Sequence, residues 1–148
     1  MMGFKILMAK AKVLKQPSEK AAQEYSRKKD VMADQVAQIL EDRPDLEKLI
    51  GANNVSMMKD NAHNMARFME SIFVKHDAAV LVQTVLWVFR AYLSHGFQLT
   101  FWSAHLNTWM EILEKEMSPE TYKELYPFYF WMQVNIPVFT KLAGEIDE

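Results

Sequence analysis

The 148-residue chain carries 17 Lys/Arg against 19 Asp/Glu, is half hydrophobic and 24% charged, the balance of one ordinary globular domain with a sizeable core. It contains no Cys, which excludes disulfides, thiolate zinc sites and cysteine nucleophiles and points to a reducing, cytoplasmic setting. Charge is uneven: residues 1–30 hold eight Lys/Arg against three Asp/Glu and the remainder nine against sixteen, yet no nucleic-acid motif accompanies the basic end, which reads as a solvated helix face.

No secretory signal opens the chain, because Lys5, Lys10 and Lys12 interrupt its apolar residues. Instead Phe4, Leu7, Met8, Ala11 and Leu14 recur at helical spacing, so residues 1–16 form an amphipathic segment whose apolar side needs the domain core, a second subunit or a lipid surface. Gln16-Pro17-Ser18 breaks it, and Ser18 is placed to cap a helix over 19–42. Pro44 to Ile50 reads as a short helix with Pro at its first position and Gly51 as its stop. Asn53 or Asn54 then caps a helix over 55–76, where Val55, Met58, Ala62, Met65, Met69 and Ile72 make an apolar seam.

Asp77 caps residues 78–94, in which thirteen of seventeen residues are Ala, Val, Leu, Trp, Phe or Tyr. A helix apolar nearly all round is buried on several sides, so this stretch reads as the central helix. It is too short and too interrupted for a membrane span. A helix over 98–116 follows, with Leu99, Trp102, Leu106, Trp109 and Leu113 inward. Ser118-Pro119-Glu120 restarts a last helix over 119–143, which Pro127 and Pro137 should kink or split. The last connections are short, so sequential helices should be antiparallel neighbours. Residues 145–148 read as an acidic tail. The eleven Met read as core filling.

Catalytic signatures are missing: there is no Gly-rich phosphate loop, no G-x-S-x-G, no H-E-x-x-H and no E-x-x-H. The informative polar feature is a stripe on the 78–94 helix, where Gln83, Trp87, Arg90 and Ser94 fall at i, i+4, i+7 and i+11. A buried Arg keeps its charge and needs a partner. That partner is a carboxylate, a set of helix-end carbonyls, or a ligand for which Arg90 is the anchor.

The helix order, with two long C-terminal helices joined at Met117-Ser118-Pro119, resembles a globin, the last four helices standing where the globin E, F, G and H helices stand. Arg90 to Leu113 also resembles the non-haem globin sensor domains at the N-termini of bacterial stressosome proteins, which carry an R-A followed by a small residue, an apolar run and an F-W or Trp-containing helix. The resemblance implies an all-α, globin-like bundle of about six helices over residues 1–148. It implies a homodimeric, non-enzymatic sensory or regulatory domain that binds a small apolar ligand or a signalling partner and responds through helix packing. Candidate pocket residues are Gln83, Trp87, Arg90, His95, Trp102 and His105. An alternative is a haem globin for gas or redox sensing, with His95 as the proximal ligand and His63 on the distal side. Another is a structural module that oligomerises through Phe4, Leu7, Met8 and Leu14. No nucleic-acid partner and no transmembrane segment are expected.

Overall fold

A computed structural model describes residues 2–144, and the acidic tail expected at 145–148 lies outside the described residues. Eight helices account for these residues: α1 (Met2–Lys12), α2 (Glu19–Glu41), α3 (Leu46–Ile50), α4 (Val55–Val74), α5 (Ala78–Ser94), α6 (Leu99–Glu116), α7 (Pro119–Val134) and α8 (Ile136–Gly144). The chain is an all-α bundle, and none of these helices is long and apolar enough to cross a membrane.

Three starts follow from local chemistry. The side chains of Ser18, Asp77 and Ser118 accept bonds from the backbone N–H groups of Ala21, Val80 and Thr121, which satisfies donors that a helix start leaves free. Two other expectations need correction. Pro44 is not the first residue of α3, which starts at Leu46 after the Arg43–Asp45 ion pair of 2.9 Å. Asn54 does not cap α4 with its side chain; its Nδ2 donates to the carbonyls of Ile50 (2.7 Å) and His95 (2.9 Å). That amide ties the turn before α4 to the turn after α5. Gly51 and Gly96 meet at this point with φ of 84° and 99°, a left-handed region that side chains with a Cβ rarely occupy.

The break near the C-terminus falls at one proline rather than two. α7 runs through Pro127 without interruption. The carbonyl that Pro127 leaves without a donor belongs to Lys123, an exposed residue on the solvent side of α7, so solvent has access to this stretch of the helix. Asn135 separates α7 from α8, and Pro137 sits in the first turn of α8, where its missing N–H costs nothing. With this split the described residues hold eight helices where about six, the short one at 44–50 included, were expected.

The centre of the bundle is α2, not the apolar helix at 78–94. α2 packs against α4, α6 and α7. Ala21, Ala22, Ala33 and Ala37 on its buried face bring the neighbouring axes close. α5 buries Leu81, Val82, Val85, Leu86, Phe89 and Tyr92 along one face, while Val80 and Trp87 are exposed. It packs chiefly on α8 and α1, and its extra apolar surface faces a cavity and solvent rather than core. Short connections therefore do not make all sequential helices neighbours. α6 and α7 do pack together, but α4 packs mainly on α2. The apolar side of α1 is used within the chain, with Leu7 and Ala11 buried and Phe4, Met8 and Leu14 packed against the core.

Two aromatic groups fill the interior. In one, Phe73 meets the rings of Tyr25 and Phe128 edge-on, and the Tyr25 and Tyr129 hydroxyls share a buried 2.9 Å hydrogen bond. In the other, Phe89 stacks on Trp102 (4.6 Å) and on Phe139 (5.1 Å). Such pairs add about 0.5–1.5 kcal/mol each beyond area burial.

Candidate functional site

Because α4 belongs to α2 and α5 belongs to α1 and α8, the two helices leave a space between them. It is a cavity of about 200 Å³. Met65 and Phe68 of α4 form one wall and Val85, Val88 and Phe89 of α5 the other. Trp102 and Leu106 of α6 and Met132 of α7 close the back. The walls follow from helical periodicity: Asn61, Met65 and Phe68 share one face of α4, and Val85, Val88 and Tyr92 one face of α5. Exposed Trp87 stands at the mouth, 65% accessible.

The polar groups of the cavity are few and neutral. Thr84 and Asn64 lie among its lining residues, and the Asn64 Oδ1 accepts a hydrogen bond from the Arg67 guanidinium one turn along α4. Burial pushes the Tyr92 phenol up. Asn61 is 2% exposed, and its Nδ2 has no hydrogen-bond partner among the described residues. Trp102 is likewise buried with an unpartnered Nε1. No Lys, Arg, Asp, Glu or His is among the described residues that line the cavity.

The six residues expected to form one pocket are not brought together. Trp87 and Trp102 line the cavity. Trp87 and Arg90 also line an open groove between α5 and α8, where an Arg90 Nη reaches the Leu142 carbonyl at 3.5 Å near the end of α8. This is the helix-end carbonyl partner, a favourable place for a cation. Gln83 is exposed and lines neither space. His95 is exposed after α5, its Nδ1 2.7 Å from the Ala91 carbonyl. His105 is fully buried between the rings of Phe101 and Trp102, and burial pushes its imidazole down to about 3.

His63 lies 2.9 Å from an Asp34 carboxylate oxygen and joins α4 to α2. Neither His63 nor His95 therefore lines the cavity, and the residues present do not fit a haem held by His95. No cluster of three or more His, Asp or Glu that could hold a metal ion occurs among the described residues.

Asn61, Met65, Phe68, Tyr92 and Met132 escaped the sequence reading as site residues. One signal was there: Asn61 lies three residues after Met58 and four before Met65, a polar residue in register with the apolar seam of α4. The chain matches no family model, no curated protein and no solved structure.

Proposed function

We propose that this chain is a non-enzymatic sensory or regulatory domain of globin-like arrangement, and that its input is a small uncharged ligand bound between α4 and α5. The observation that carries the reading is the apolar cavity itself, set between two helices that pack on different partners. α4 is held by α2, and α5 by α1 and α8. A ligand touching both walls joins these two groups, so occupancy favours one relative setting of the helices over another. The globin-like element of the proposal is supported by placement: α4 and α5 flank the cavity, and α6 and α7 back it, as the resemblance implies for the E, F, G and H positions. A cytoplasmic location and a dimer belong to the same reading. Since α5 and α8 cover the apolar side of α1, the dimer contact would lie elsewhere.

A cavity-filling substitution tests the site. Val88, half-buried on the cavity wall, becomes Val88→Phe. A ligand at ten times its Kd stabilises the wild type by about 1.4 kcal/mol, raising Tm by roughly 3–6 °C for a chain of this size. In Val88→Phe, thermal melts with toluene should show no rise. An equal rise in both proteins would place the ligand elsewhere.

A further inference from the structure

We infer that the cavity is built for a neutral, single-ring ligand bearing one hydrogen-bonding group, with Asn61 as its polar partner. The inference rests on the cavity reading above and deepens it by naming the ligand class.

Three observations converge. The first is size. An apolar cavity of about 150 Å³ takes benzene, so a space of about 200 Å³ suits one substituted ring. The second is charge. The lining residues are uncharged among the described residues, and transferring an ion into such a space without a counter-charge is strongly unfavourable. A neutral ligand is selected over a carboxylate or an amine. The third is the unused hydrogen-bonding capacity of Asn61. A buried polar group without a partner is uncommon, and Asn61 is both buried and part of the lining, with Nδ2 unpartnered. Its neighbour Asn64 is exposed and already accepts from the Arg67 guanidinium, which leaves Asn61 as the buried polar partner for the ligand. A carboxamide offers a donor and an acceptor, and its terminal torsion is broad, so it serves a phenolic hydroxyl in either role. Phe89 and Trp102, stacked on each other at the cavity edge, offer aromatic surface to the ring.

The probes are phenol and toluene, nearly equal in size and different in one hydroxyl. Isothermal titration of the full chain should show phenol binding at least as tightly as toluene. A cavity without a polar partner would instead favour toluene by roughly tenfold or more, because the hydroxyl loses its water unrewarded. In Asn61→Leu the phenol affinity should fall roughly tenfold while toluene stays within about twofold, so toluene binding also reports that the variant is folded. If toluene wins by tenfold in the wild type, the polar partner is disproved and the cavity reading stands. If phenol keeps its advantage in Asn61→Leu, Asn61 is not the partner and the inference fails. If neither compound binds, the cavity reading falls and takes this inference with it.

Discussion

His105 shows how one buried side chain sets a pH response. Its ring is fully buried beside Phe101 and Trp102, and burial holds it neutral down to about pH 3. In the unfolded chain an imidazole takes up a proton below about pH 6.5. The unfolded state then binds more protons than the folded one, so stability falls as the pH drops from 6.5 toward 3. Between pH 7 and pH 5 the loss from this residue is about 2 kcal/mol. His105→Phe should remove that loss: urea melts at the two pH values should differ by about 2 kcal/mol less in the variant than in the wild type. Equal pH dependence in both would mean that the ring is solvated or paired.

Residue-scale features were legible where they depend on chain neighbours only. Ser18, Asp77 and Ser118 cap their helices as their positions relative to the apolar pattern require. The fate of His95 and His105 was not legible, because two residues ten positions apart end on the surface and in the core according to which helix turns toward which neighbour.

Between elements, α2 and α7 hold each other's starts. The Ser18 N–H and hydroxyl donate to the Glu124 carboxylate at 2.6 and 3.0 Å, and the Ser118 N–H and hydroxyl donate to the Glu24 carboxylate at the same two distances. The Thr121 hydroxyl adds a third bond to Glu24 at 2.7 Å. Burial alone would raise the Glu24 carboxyl; the bonds from Ser118 and Thr121 outweigh it and hold the group below the ordinary value of 4.5. A carboxyl depressed in the folded state contributes stability above its unfolded pKa and loses it as the pH falls through the folded one. Glu24→Gln should therefore cost about 1 kcal/mol at pH 7, the worth of a helix cap, or about 2–4 °C in Tm. The gap from wild type should narrow toward pH 3 in thermal melts, and a gap independent of pH would show that the carboxylate charge has no part in the clamp. Nothing in the local sequence reveals this clamp, since its partners are separated by about a hundred residues. Helix existence was legible from 3.6-residue periodicity. The behaviour of Pro127 was not, because an interior proline is tolerable where it and the residue four before it face solvent, as Pro127 and Lys123 do.

At the scale of the molecule, the all-α class followed from periodicity, but the choice of central helix did not. Composition alone favours residues 78–94. Packing favours α2, whose alanines admit three neighbours, while α5 spends its apolar surface on α1, α8 and a cavity. That arrangement is the basis of the proposed response: α4 and α5 belong to separate packing groups, and the bound ligand is what they share. The most direct test is amide chemical-shift mapping by NMR during a titration with toluene. The account predicts shifts concentrated in α4 around Asn61 to Phe68 and in α5 around Thr84 to Tyr92, with smaller changes spreading into α1 and α8. Shifts confined to the α5–α8 groove around Arg90 and Thr140, or no shifts at saturating toluene, would contradict it.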